Sequence, residues 1–206
     1  MRYNLNGAKH SQMKNGGPRE EPNMKKLTVL AMLIFLTGCA SATWKQAGGR
    51  YESPSHNFVV EIPEGWMELN STDYLLISKD GPFLQYMFAQ RRQVDQPFQH
   101  SKMRMQKGMM PEEAAKVLLN EISSDQSLYG LEVTEQTQVE IDGHQGFRIQ
   151  FSHENQTGPR IKTIYYGFLD GEWFYNIRYS AAERYYFDKD LETFDKFVRN
   201  FRLLRT

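Results

Sequence analysis

The chain has 206 residues, of which 40% are hydrophobic and 13% aromatic, enough apolar material for one domain with a real core and additional segments. Disorder throughout is excluded. Six of its 25 Lys and Arg and two of its 25 Asp and Glu precede the single cysteine, Cys39, so the remainder carries 19 cations against 23 acids, a net of −4. That balance gives no electrostatic case for a nucleic-acid partner, and one cysteine permits no internal disulfide.

Residues 1–23 are polar, have no apolar period and precede Met24, the more natural start; they are expected to be an upstream extension, disordered or untranslated. Met24-Lys25-Lys26 then leads into an apolar run from Leu27 to Leu36, too short for a bilayer span of about 20 residues but of the length a secretory signal needs. Leu36-Thr37-Gly38-Cys39 resembles the lipobox of bacterial lipoproteins, which implies a signal peptide over 24–38 and lipidation (palmitate and related acyl chains) of Cys39 as the first mature residue. Several acyl chains explain a lone cysteine, since each buried CH₂ contributes about 0.8 kcal/mol to membrane anchoring. The chain is thus expected in the cell envelope. Ala40 rather than aspartate follows the cysteine, which in enteric-type bacteria resembles the default for the periplasmic side of the outer membrane.

Residues 39–50 are small and polar apart from Trp44 and read as a flexible tether, with a typical reach near 20 Å for about twelve residues. The domain is expected over 51–206. Phe58 to Ile62 reads as a strand stopped by Pro63-Glu64-Gly65, with further strands over 73–79 and 83–91. The period is lost between Pro97 and Met110. Pro111-Glu112-Glu113 opens a helix whose Ala115, Leu118, Leu119 and Ile122 share one face. Leu131, Val133, Val139 and Ile141 alternate with polar residues, as do Phe147, Ile149 and Phe151 after Asp142-Gly143. A two-residue connection at 142 and 143 would put the two apolar sets on opposite faces, whereas three residues pair odd with odd, so a three-residue connection with Gly143 in or beside a bulge is expected. A two-residue loop at Asp170-Gly171 would pair Phe168 with Trp173, Tyr166 with Tyr175 and Ile164 with Ile177, an apolar face expected to be core. Tyr165 with Asn176 and Thr163 with Arg178 form the opposite, mixed face. A closing helix from about Asp188 aligns Leu191, Phe194, Val198 and Phe201, with Phe197 nearby.

Phe58-Val-Val-Glu-Ile-Pro-Glu-Gly-Trp66, Ile141-Asp142-Gly143 and the run Phe194 to Phe201 together resemble the PsbP-like superfamily, over about residues 51–204. The resemblance implies an α+β fold, an antiparallel β-sheet flanked by helices. That superfamily includes an extrinsic protein of photosystem II, a Ran-binding import factor and many bacterial lipoproteins, so it implies docking to a partner rather than catalysis.

The search for chemistry assigns no catalytic residue, no metal and no cofactor. His153-Glu154-Asn155-Gln156-Thr157 begins like a zinc-protease helix but has threonine where the second histidine must stand. His56, His100 and His144 are scattered, which keeps open an envelope hydrolase whose site assembles from residues distant in sequence. The methionines between His100 and Met110 are soft Cu(I) ligands, yet Lys102, Arg104 and Lys107 among them would repel the metal. From Gln90 to Met110 the cations Arg91, Arg92, Lys102, Arg104 and Lys107 face Asp95 alone. They are either a solvated basic face or a contact for anionic headgroups or an acidic protein partner.

Overall fold

A computed structural model describes residues 44–154 and 158–204. Cys39, the signal segment and the residues before it lie outside the described residues. Nine strands are seen among those described: β1 (Trp44–Ser53), β2 (Phe58–Leu69), β3 (Leu75–Ser78), β4 (Gln85–Gln93), β5 (Tyr129–Ile141), β6 (His144–Glu154), β7 (Arg160–Asp170), β8 (Trp173–Ala182) and β9 (Arg202–Leu203). They form one antiparallel sheet in the order β1-β2-β3-β4-β8-β7-β6-β5, with β9 paired to β2. The helices are α1 (Pro111–Ser124), α2 (Tyr186–Lys189) and α3 (Leu191–Arg199). The fold is α+β, but more dominated by its sheet than "flanked by helices" conveys.

Five sequence expectations change, four in the sheet and one in the closing helix. Residues 44–50 are not tether: they pair with β2 from Trp44 opposite Leu69 to Arg50 opposite Glu61. Their alternation was hidden by Gly48-Gly49 and by a nearly polar composition, which an edge strand tolerates. Pro63-Glu64-Gly65 does not stop β2 either. The three residues stand opposite Gly48 as a bulge, where a missing N–H leaves no ladder bond unmade, and β2 continues to bring Trp66 into the core.

The third change is at Asp142-Gly143. Both residues have positive φ, 49° and 81°, as a two-residue type I′ turn requires, and Ile141 pairs directly with His144. Parity demands a third turn residue only where a single face is buried, and this sheet buries both. Ile141 therefore joins one core while Phe147, Ile149 and Phe151 join the other. The bulge lies instead where Val133 pairs with Phe151 and Glu135 with Gln150, skipping Thr134. Fourth, the β7–β8 turn is Gly171-Glu172, so Phe168 pairs with Tyr175 and Tyr166 with Ile177. The shift by two in register preserves which face each residue takes, and the aromatic column is core as expected.

One core packs Phe58, Trp66, Phe168, Tyr175, Ile177 and Tyr179 beneath Phe187, Phe194, Phe197 and Phe201 of the closing helices and the turn after them. The expected closing helix is broken in two at Asp190, whose backbone carbonyl accepts the Phe194 N–H at 3.0 Å. The second core sits under α1, where Ala115, Leu118 and Ile122 meet Phe147, Ile149 and Phe174. Pro111 starts α1, and the Glu113 carboxylate accepts the Met110 N–H at 3.0 Å, closing the first turn. Both cores are built within residues 42–206, which form one compact unit.

Candidate functional site

α1 covers only part of its face of the sheet. β7 runs Thr163, Tyr165 and Gly167 along this face, and β8 runs Phe174, Asn176, Arg178 and Ser180 along it. Phe174 lies in the core under the helix, whereas toward the other end of these strands the same face becomes polar and is left open. The result is a cleft of about 420 Å³, floored by alternate residues of β4, β8, β7 and β6 and walled by the second half of α1, residues 125–128 and the segment Phe98–His100.

The floor follows from strand periodicity. Phe88 of β4 pairs with Arg178 of β8, and Arg178 pairs with Tyr165 of β7, so the guanidinium lies in a row between two aromatic residues. It stands over the Phe88 ring at 4.3 Å from the centroid and 5.6 Å from that of Tyr86, which suits a weakly hydrated planar cation. Its Nε is buried without a hydrogen-bond partner among the described residues. Arg92, two pairs along, stacks over Phe98 at 4.1 Å and donates to the carbonyls of Gln96 and Pro97 at 2.8 and 3.0 Å. Neither guanidinium pairs with a carboxylate among the described residues.

The two acids of the cleft are committed elsewhere. Glu121 accepts the backbone N–H of His100 at 3.0 Å and of Ser101 at 2.8 Å, so it fastens the loop to α1. Burial pushes its carboxyl up, but the hydrogen bonds from Ser101 and His100 outweigh that and hold it below the usual value. Asp125 accepts both the N–H and the hydroxyl of Ser127 and lies 3.6 Å from His100 Nε2; burial raises its carboxyl, and these contacts bring the net below normal.

Deeper in, Tyr165 is 6% exposed, and burial pushes its phenol far up against the partial offset of Arg178 and Arg92, so it stays protonated. Thr163 and Ser180 share a hydrogen bond at 2.8 Å. His153 is 8% exposed, and its Nδ1 is buried with no partner among the described residues. Burial lowers its pKa, opposed by Asp125 and assisted by Arg160, which keeps the ring neutral at pH 7. An unmade hydrogen bond at a buried polar atom costs about 1–3 kcal/mol, and it marks a place where a bound group has something to gain.

The sequence-nominated residues are dispersed. Arg91 and Arg92 are adjacent on β4 and point to opposite faces: Arg91 stacks over Trp173 at 4.0 Å and donates to the Ser55 carbonyl, while Arg92 enters the cleft. Lys107 is paired with Glu172 at 2.8 Å. Lys102 and Arg104 are exposed on the loop before α1, with no hydrogen bond or ion pair among the described residues. Beside them Met103 is 41% and Met110 61% exposed, whereas Met105 is core. Of the three scattered histidines only His100 borders the cleft. His56 bonds the Thr72 carbonyl and His144 the Asp142 carbonyl. The cleft itself was missed, although a signal for it existed: Asn176 and Arg178 sit mid-strand, opposite Thr163 and Tyr165, in strands whose other face is aromatic.

No protein-family model matches the chain, and no curated protein matches it. Among solved structures it is similar to cyanobacterial PsbP (CyanoP) from Synechocystis sp. PCC 6803, with TM-score 0.54 and 11% identity over 81% of this chain and 95% of that one. It is likewise similar to the Saccharomyces cerevisiae Ran-binding protein Mog1p, with TM-score 0.51 and 8% identity over 78% and 97%. The chain therefore has a PsbP/Mog1-like fold. At these identities the likeness concerns the fold alone.

Proposed function

We propose that this is a lipid-anchored envelope protein whose domain is a non-catalytic docking module, meeting an anionic surface through the loop before α1. The observation that carries the docking reading is the exposure of Lys102 and Arg104, unpaired among the described residues, alongside exposed Met103 and Met110. Cations interleaved with flexible apolar side chains suit the boundary between headgroups and acyl chains, where each Lys or Arg contributes about 1 kcal/mol. The surface is smaller than the five-cation patch, because Arg91, Arg92 and Lys107 have partners within the domain.

The anchor reading rests on Leu36-Thr37-Gly38-Cys39. With β1 beginning at Trp44, only Ala40 to Thr43 separate Cys39 from the sheet. A chain of five residue steps spans at most about 18 Å, so an acylated Cys39 would hold the domain close to its membrane. Mass spectrometry of the mature N-terminus tests this: acylated Cys39 is expected, and an unmodified cysteine there removes the anchor. Fractionation is expected to find the protein in the outer membrane where the organism has one.

For the loop, residues 42–206 are mixed with anionic and with neutral vesicles. Salt-sensitive binding to the anionic ones is expected, abolished by Lys102→Gln with Arg104→Gln and kept by Arg91→Gln. Equal binding to both vesicle types, or none at low salt, would leave an acidic protein partner as the better occupant. The hydrolase alternative gains no support from geometry, since no histidine of the cleft is hydrogen-bonded to a serine or threonine hydroxyl among the described residues.

A further inference from the structure

We propose that the cleft beside α1 binds a small organic oxyanion, its carboxylate or phosphate meeting Arg178 and its apolar body lying against the rings of Phe98 and Phe151. The site is separate from the exposed loop cations and stands whether or not the loop meets a membrane. Charge is the first argument. Arg178 and Arg92 bring two fixed cations to the cleft, and the acids there are already occupied, Glu121 by the His100 and Ser101 amides and Asp125 by Ser127. Arg178 spends its π-face on Phe88 and leaves the N–H edge, the part that recognises a planar oxyanion.

Unmade bonds are the second argument. His153 is more than nine-tenths buried with Nδ1 unpartnered among the described residues, as is Arg178 Nε, so polar groups on both β6 and β8 await an acceptor or donor. The Thr163–Ser180 pair uses one hydroxyl proton and leaves the other to donate, and Tyr165 beside it retains its proton. Size is the third: 420 Å³ falls in the range of small-molecule sites, and the lining joins aromatic walls to a few convergent polar groups.

The test follows backbone amide shifts of residues 42–206 by NMR during titration with benzoate, phenyl phosphate and, as the uncharged control, benzyl alcohol. Saturable shifts at Gln90, Tyr165, Asn176 and Arg178 are expected with an oxyanion, at least about tenfold weaker with benzyl alcohol, the worth of one charged hydrogen bond. A response to benzoate alone assigns a carboxylate ligand; to phenyl phosphate alone, a phosphate ester. Arg178→Gln is expected to lose the response and Lys102→Gln with Arg104→Gln to keep it. The proposal is overturned if benzyl alcohol matches the anions, if neither anion shifts these amides at millimolar concentration, or if folded Arg178→Gln responds like the parent. Should Arg178→Gln fail to fold, the comparison of anion with alcohol on the parent decides, supported by Tyr165→Phe.

Discussion

The two faces of this sheet are made by the same strands and have opposite characters. On β7 and β8, Ile164, Phe168, Tyr175, Ile177 and Tyr179 point to a face that the closing helices cover, leaving only its margins at Tyr166 and Trp173 half-buried. Thr163, Tyr165, Asn176, Arg178 and Ser180, one residue out of step, point to a face that α1 covers in part. The sealed face has aromatic rings in mutual contact, such as Phe168 on Tyr175 at 5.0 Å and Tyr179 on Phe194 at 5.3 Å. The other places Arg178 Nε and His153 Nδ1 in buried positions without a hydrogen-bond partner among the described residues. The closing-helix face is thus packed along these strands, whereas the α1 face is packed in one half and in the other holds polar groups that are costly alone.

The largest test of that division is Phe194→Ala. Phe194 is fully buried against Tyr166, Tyr179 and Phe197, so its loss removes a large apolar side chain and leaves a cavity. A destabilisation of about 3–5 kcal/mol is expected from urea unfolding. Arg178→Gln, on the open face, is expected to cost less than about 1 kcal/mol, because it removes a stacked side chain that has no ion-pair partner among the described residues. Comparable losses in the two variants would mean that the faces share the work of stability.

Gly167→Ala probes the boundary. Gly167 lies on the α1 face, where an added Cβ would run into the Phe147 ring and come within 2.8 Å of Phe174 Cε2. Both rings are fully buried in the second core and cannot swing aside freely. A loss of about 1–3 kcal/mol is expected by the same denaturation measurement. Neutral behaviour would show that the packed half of this face is as loose as the open half.

Glu121→Gln is expected to cost about 1 kcal/mol, since charged acceptance of three backbone contacts weakens while partial exposure limits the effect. The charge matters only where it is present. The folded carboxyl is held below its ordinary value, so its contribution is complete above about pH 4.5 and is lost as pH falls through the folded value. Hydrogen exchange at the His100 and Ser101 amides should accelerate in the variant at neutral pH and converge with the parent in acid.

Much of the sealed face was legible in the sequence, because its residues alternate with a strict period and are almost all aromatic or β-branched. Phe168, Tyr175 and Ile177 take the predicted face even though the turn moved by one residue, since a register change of two leaves parity untouched. The errors arose where one assumption about burial was carried too far. Ile141 and Phe147 lie on opposite faces of a sheet that is buried on both, so apolar alternation alone could not set the turn at Asp142-Gly143. The open face was legible only in fragments. Charge density singled out Arg91 and Arg92 together, but strand geometry sends neighbours apart, and only Arg92 reaches the cleft. In the sequence alone His153 stands in a zinc motif that lacks its second histidine. Its meaning comes from Arg178 and Tyr165, which are close in space through β-pairing and distant in the chain.

The smallest expected effect isolates His153. Burial on the open face depresses its pKa from the ordinary 6.5, with Asp125 opposing and Arg160 assisting. Well above pH 6.5 the ring is neutral in both folded and unfolded chains, and the full stability is present. As pH falls below 6.5 the unfolded chain takes up a proton that the folded one refuses, so stability declines until the folded pKa is passed and then levels off. Other groups titrate in the same window, so the informative quantity is the difference between the parent and His153→Phe, a variant that keeps the ring contact with Phe151 and removes the proton site. Urea midpoints measured from pH 8 to pH 4 should show the parent losing ground to the variant only below about pH 6.5. Parallel curves would mean that the buried imidazole finds a partner in the folded protein, and that this part of the cleft is already satisfied without a ligand.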